Sequence, residues 1–144
     1  METSKTGNKL VLVVESDEVT NRLMCDLLKG NGYPYISASS FGDATTRTRG
    51  IVPDVIVSAG RLPDCSGLEL CRWVKSRELL KRVPVMIVSD RPEIPHRLSA
   101  FLAGAQKYLC RPFRNDDFIE SIHFLAGMNS DACRTEPLFD TAVL

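Results

Sequence analysis

The chain has 144 residues, 44% of them hydrophobic, and its 18 lysines and arginines are matched by 18 acidic residues. That length suits one domain able to bury about two-thirds of its unfolded surface, so no disulfide framework or structural metal is needed. The neutral balance argues against a general binder of nucleic acid or anionic membrane, both of which rely on excess positive charge.

The first eight residues are polar, with no apolar stretch of the kind that forms a signal peptide, and are expected to be a flexible arm. No apolar run approaches the roughly 20 residues of a membrane helix, and a cytoplasmic protein is the expectation. The cysteines, at 25, 65, 71, 110 and 133, are odd in number and show no C-x-x-C spacing. Free thiols in a reducing compartment follow from that pattern. His96 and His123 have no ligand spacing, so no metal site is expected.

In chain order, Leu10–Val14 is a continuous apolar run, as in a strand buried on both faces. Val19, Leu23 and Leu27 then repeat at helical spacing, with Ser16 or Asp17 as cap and Gly30 and Gly32 as stops. Tyr33–Ala38 reads as a second strand, and Ser40–Arg49 as a Thr-rich helix ended by Gly50. Asp54–Ser58 is a third strand, followed by a loop through Cys65. Ser66-Gly-Leu-Glu69 has the form of a capping box and opens a helix to about Arg77. Trp73 on that helix is expected to turn one side of its ring to the core. Pro84–Val88 is a fourth strand. A helix over 95–103 follows, with Leu98, Phe101 and Leu102 as its apolar face and Pro92 and Pro95 stiffening its approach. Gln106–Cys110 is a fifth strand. Asn115 caps a last helix striped by Phe118, Ile119, Ile122, Leu125 and Ala126 and stopped by Gly127. Residues 128–144 read as a tail or linker, leaving 9–127 as the domain.

Strand–helix alternation predicts an α/β three-layer sandwich, a five-stranded parallel sheet flanked by five helices with right-handed crossovers. Ligands and chemistry in such folds gather at the carboxyl ends of the strands. Here those ends are Glu15-Ser16, Ser58-Ala59, Ser89-Asp90 and Cys110-Arg111.

Placed in this frame, several short signatures fall in order. They are Val11-Leu-Val-Val14 with the acidic residues after it, Pro53-Asp54, and Leu62-Pro63-x-x-x-Gly67-Leu-Glu-Leu70. Val83-Pro-Val-Met-Ile-Val-Ser89, Gly104-Ala105 and Tyr108-Leu-Cys-Arg-Pro-Phe113 follow. Together they make residues 9–127 resemble the receiver domain of two-component response regulators. The resemblance implies the flavodoxin-like fold with strand order 2-1-3-4-5. It also implies a phosphoacceptor aspartate at the end of strand three, an acidic pair after strand one for magnesium, and a lysine before Pro-Phe. The matching positions here are Ala59, Glu15-Ser16 and Arg111; the hydroxyl after strand four is kept as Ser89, and the aromatic switch position is Tyr108.

Three carboxylates against one lysine make a net negative pocket, whereas Glu15 and Arg111 sum to zero. A hard divalent cation prefers several oxygen ligands, so magnesium binding is expected to be weak or absent. Arg111 is placed to pair with Glu15, although Asp17 and Asp90 lie close enough in sequence to alter the count.

The expectation is therefore a non-phosphorylatable pseudo-receiver with no catalytic residue, acting through a protein partner or as a homodimer and binding neither nucleic acid nor membrane. Phe101, Lys107, Tyr108 and Arg114 are its candidate contact face. Tyr108 and Ser89 are read as a half-buried strand aromatic and a satisfied strand end rather than as a relay. Phe113 is expected to pack.

Two alternatives stand beside this reading. One is a nucleotide or redox sensor using the vacated pocket. Its basic rim would be Arg61, Arg91, Arg111 and Arg114, and its reactive thiols Cys110 beside Arg111, or Cys65. For the arginines, dispersed charge countered by Asp64, Asp90, Asp116 and Asp117 is the preferred reading. The other alternative is a receiver phosphorylated elsewhere, with Ser58, Ser16 and Glu15 as the nearest oxygens; Asp54, at the far end of its strand, and Asp64, in a solvated loop, are set aside. The chain could also be the receiver part of a larger regulator.

Overall fold

The computed structural model describes residues 9–128; the N-terminal arm, Cys133 and most of the expected tail lie outside them. Five strands alternate with five helices: β1 (Val11–Val14), α1 (Glu18–Gly30), β2 (Tyr35–Ala38), α2 (Phe41–Arg47), β3 (Val55–Ala59), α3 (Gly67–Ser76), β4 (Val85–Ser89), α4 (Ile94–Leu102), β5 (Lys107–Cys110) and α5 (Asn115–Met128). The strands form one parallel sheet in the order β2-β1-β3-β4-β5, which is the flavodoxin-like receiver architecture.

Why the apolar runs become central strands is visible in the pleat. Successive side chains point to opposite faces, so a strand covered on both sides must be apolar throughout. Val11, Val13, Val55, Val57, Met86 and Val88 pack on one face against Met24 and Leu28 of α1 and Phe118, Ile122 and Leu125 of α5. Leu12, Val14, Ile56, Val85 and Ile87 pack on the other face against Ala44 of α2, Leu70 and Val74 of α3, and Ala100 of α4. The register Val14↔Ser58 and Ala59↔Val88 sets the central strand ends side by side.

The helix starts follow local chemistry. Asp17 caps α1 by accepting from Thr20 N at 3.0 Å, so Asp17 rather than Ser16 is the cap. Ser66 caps α3 by accepting from Glu69 N at 3.1 Å. Ser40 caps α2, which ends at Arg47, two residues before the expected limit. The α5 helix starts with Asn115 as its first residue rather than its cap, with Phe118 N bonding back to Arg114 O at 3.1 Å, and it runs through Gly127 to Met128. The second strand starts at Tyr35, not Tyr33. Tyr33 is instead buried under α5 and hydrogen-bonded through its hydroxyl to His123 Nδ1. Trp73 is half-buried, meeting Phe41 edge-on with ring centroids 5.5 Å apart.

Helix α4 overturns one expectation. Leu98, Phe101 and Leu102, read as its apolar face, are 54%, 50% and 79% exposed. Ala100, with Ala103 just beyond the helix, is what meets the sheet. Small side chains let this helix approach closely, and the large ones are left on the outer side.

The amino ends of the strands are closed by polar groups that satisfy one another. Leu10 N donates to Asp54 Oδ2 at 2.8 Å, and Gln106 Oε1 accepts from Val85 N at 2.8 Å. Lys75 Nζ reaches Val83 O at 2.8 Å and Gln106 Oε1 at 3.5 Å. Burial holds the Lys75 ammonium below the usual lysine range. Gly104, at φ +110°, would set a Cβ 2.7 Å from Lys75 Cγ, so glycine is what lets the lysine stem lie flat there.

Candidate functional site

The site residues sit one position past the strands, still held by ladder hydrogen bonds. Glu15 N bonds to Ala38 O at 2.9 Å, Gly60 N to Val88 O at 2.9 Å, and Arg111 N to Ser89 O at 2.7 Å. Their main chains are therefore fixed by the sheet, although they lie where loops begin. Asn21, on the first turn of α1, adds a clamp: its Nδ2 donates to Glu15 O at 2.9 Å and its Oδ1 accepts from Ser37 Oγ at 2.8 Å. Asn21 is absent from the sequence-based site; its position one turn after the cap was the available signal.

Glu15 is 4% exposed, and both its oxygens are engaged. Oε1 accepts from Arg111 Nη1 at 3.0 Å across 96 residues of chain, and Oε2 accepts from Asp17 N at 3.0 Å. A buried carboxylate needs such partners, because removing it from water unpaired is costly. The Arg111 side chain is 28% exposed, so the pair is closed below and open above.

Of the other residues matched to the receiver signatures, Ala59 is buried as the last residue of β3. Its carbonyl would lie 2.1 Å from a Cβ placed on Gly67, and Gly67 N donates to Gly60 O at 3.0 Å. The turn after β3 thus folds tightly over the alanine. Ser58 is buried and turned back on Ala59 O at 2.9 Å, while Ser16 is exposed. The structure brings Glu15 and Arg111 into contact and leaves Ser16 outside.

Ser89 and Tyr108 meet through one residue. Ser89 Oγ accepts from Arg91 N at 3.1 Å, and the Tyr108 hydroxyl donates to Arg91 O at 2.5 Å. Arg97 lies over the Tyr108 ring at 5.3 Å. Ser89 ends β4 and Tyr108 is half-buried within β5, and together they pin the main chain of Arg91. Of the remaining contact-face candidates, Phe101 and Arg114 are exposed, and Lys107 lies over the ring of Phe124 at 5.6 Å. Phe113 is half-buried and stacked on Phe118.

A cavity of about 390 Å³ opens beside the ion pair, between the ends of β3, β4 and β5. Arg61, Arg91 and Arg111 line it, with His96 and Asp90. Three of the four arginines of the expected rim therefore converge, and Arg114 does not line this cavity. Nor does Asp64 counter them. Its carboxylate accepts from Phe41 N at 3.0 Å and Gly42 N at 2.9 Å, holding the start of α2. These bonds keep its pKa below the usual carboxylate value, and it is not merely a solvated loop residue.

Among the described residues no three His, Cys, Asp or Glu side chains converge as metal ligands would. The thiol pKa of Cys65 is raised, by burial first and then by Asp64 and Glu69, which is the reverse of activation.

The comparisons with known proteins agree with this frame. The family model for the response regulator receiver domain matches residues 11–123. The chain is 32% identical over 119 residues to the polar-differentiation response regulator DivK of Brucella ovis, covering 83% of this chain and 97% of that protein. It also superimposes on the Francisella response regulator 1452 receiver domain with a TM-score of 0.80 at 23% identity, covering 85% of this chain and all of the other. The receiver domain of the sensor histidine kinase PA1611 from Pseudomonas aeruginosa, solved with magnesium in its active-site cleft, gives a TM-score of 0.76 at 23% identity. The match covers 83% of this chain and 98% of that one. With no helix long and apolar enough among the described residues to cross a membrane, and with sheet, loops and family match in agreement, the chain belongs to the response regulator receiver family, a module of two-component signalling.

Proposed function

We propose that this receiver does not carry a phosphoryl group on an aspartate and signals by protein contact in the state the sequence builds. The observation that carries the reading is the Glu15–Arg111 pair, 3.0 Å long, beside a β3 that ends in Ala59. Alanine supplies no nucleophile. The guanidinium occupies one oxygen of the remaining carboxylate and a backbone N–H the other. Magnesium asks for several oxygen ligands in near-octahedral geometry, and this donor set does not fit it.

The contact face of this reading combines α4, β5 and α5. Ile94, Leu98, Phe101 and Leu102 expose large apolar side chains there, with Tyr108, Lys107 and Arg114 nearby on β5 and before α5. Aromatic and arginine side chains of this kind are frequent energetic centres of interfaces. The partner is a signalling protein, an output domain or a second copy.

Incubation with acetyl phosphate and magnesium, followed by intact mass measurement, tests the reading. No adduct is expected. A stoichiometric gain of about 80 Da, stable in acid and labile in base, overturns it.

A further inference from the structure

We propose that the cavity beside the Glu15–Arg111 pair binds a small organic phosphate monoester without covalent chemistry. This rests on the reading that no phosphoryl group is carried at Ala59, and it adds a ligand to that site.

The first argument is charge. Three arginines, Arg61, Arg91 and Arg111, line one cavity together with His96, and Asp90 is the one acid lining it. Glu15 forms its ion pair with Arg111, and its other oxygen accepts from Asp17 N. Among the described residues the side chains of Arg61 and Arg91 form no ion pair, and the acid nearest Arg61 in sequence, Asp64, is committed to Phe41 and Gly42. Set against Asp90 and the Glu15 carboxylate, three arginines still leave one positive charge in excess around the cavity, and an anion between them lowers their mutual repulsion. The guanidinium fork matches phosphate oxygens with paired hydrogen bonds.

The second argument is preorganisation. Arg91 is fixed through its N–H by Ser89 and through its carbonyl by Tyr108. Arg61 lies at the start of a tight loop, bridged to Ser66 and closed by Leu62 N to Cys65 O at 2.9 Å. Arg111 is held by the sheet and by Glu15. Fixing the main chains that carry the donors, and the Arg111 guanidinium itself, lowers part of the ordering cost that otherwise offsets affinity.

The third argument separates an ester from a bare anion. The same cavity is lined by Leu68, Ile87 and Tyr108. Its volume of about 390 Å³ lies near the lower end of the about 300–1,000 Å³ usual for small-molecule sites. It holds a phosphate with a carbon body of about one nucleoside, and a wall of this kind would be wasted on an inorganic ion.

The test is amide-resolved NMR titration of the full chain, without magnesium, in about 0.1 M salt, where screening acts over about 10 Å. The probes are adenosine monophosphate, adenosine and inorganic phosphate. Adenosine monophosphate is expected to shift Gly60, Ser89 and Arg91 saturably, with a Kd below about 1 mM. Adenosine should not bind, and inorganic phosphate should bind more weakly than the monoester. The Arg61→Ala/Arg91→Ala variant, both sites being exposed, should keep the wild-type spectrum elsewhere and lose affinity at least about tenfold. No saturable shift with the monoester, unchanged binding in the double variant, or equal binding of inorganic phosphate overturns the proposal. The mass experiment above fails independently. An adduct there sinks the unphosphorylated reading, whereas no adduct together with no binding sinks the ligand alone.

Discussion

The two ends of the sheet handle a partly buried cation in opposite ways. At the amino end, Lys75 is wrapped by carbonyl oxygens and a glutamine, with Gly104 pressed against its stem. Among the described residues its hydrogen-bond partners are two carbonyl oxygens and the glutamine, with no carboxylate. At the carboxyl end, Arg111 sits on a buried carboxylate under a cavity that two further arginines share. One end uses its polar groups for closure, while the other lines an open cavity with three arginines and one aspartate. The difference teaches where to look for function, since a satisfied cation is structure and an unsatisfied cluster is an opening for a ligand.

The comparison breaks hardest at the turn over Ala59. A Cβ on Gly67 would lie 2.1 Å from Ala59 O, a backbone atom that cannot rotate away. Gly67→Ala is expected to cost about 3 kcal/mol in urea unfolding, at the upper end of overpacking penalties. An unchanged midpoint would show that the turn is not tightly closed.

Next in size is the ion pair. Arg111→Ala leaves Glu15 buried with one backbone partner and is expected to cost about 2 kcal/mol, less than a fully buried pair because Arg111 is partly exposed. Adding Glu15→Gln should recover at least half of that loss, since the buried charge then disappears. A double-mutant cycle measures the coupling, and additive losses would mean that the pair does not couple.

The amino end gives a smaller effect with a pH signature. Folding lowers the Lys75 pKa, so between the folded value and 10.5 the unfolded chain holds more protons, and stability contributed by this group rises with pH. Burial raises the pKa of the Cys25, Cys65 and Cys71 thiols above 9.0 and of Tyr33 above 10.0. Those groups act oppositely, because the unfolded chain loses their protons first. Wild type is therefore expected to lose stability as pH rises past about 9. Lys75→Met, within about 1 kcal/mol of wild type at neutral pH, should lose it more steeply. Parallel urea curves across that range would contradict the burial of Lys75.

The smallest effect is on α4. Leu102→Ser, at an exposed position, is expected to move stability by no more than about 0.5 kcal/mol. A larger loss would mean that this side chain is covered in solution, for instance by a second copy.

How far the sequence could be read varied with the kind of contact. Val11–Val14, Val55–Ser58 and Val85–Val88 were legible as strands because burial on both faces leaves no alternative to an apolar run. Ser66 and the Asp17 alternative were legible as caps because a side-chain oxygen two or three residues before a free N–H acts locally. Helix α4 was misread because apolar periodicity marks a stripe without saying whether it turns inward; Ala100 and Ala103 won the inner side through close packing. At the candidate site, Glu15, Ala59, Ser89 and Arg111 were legible as strand ends, and the receiver resemblance singled them out as site positions. Asn21 was not, because its partners Glu15 O and Ser37 Oγ come together only once β1 and β2 are paired.

By itself, the sequence determined the alternation of strands and helices and which residues stand at the strand ends, the alanine that ends β3 among them, since these depend on local pattern and residue identity. Only the tertiary structure decided that Arg111 reaches Glu15 across 96 positions. It likewise decided that Asp64 turns away to α2 and that Arg61 and Arg91 are left facing the same cavity. Net charge adds along a chain without regard to place, but Coulomb energy depends on separation and burial. A chain whose charges sum to zero can therefore still gather three arginines around one cavity.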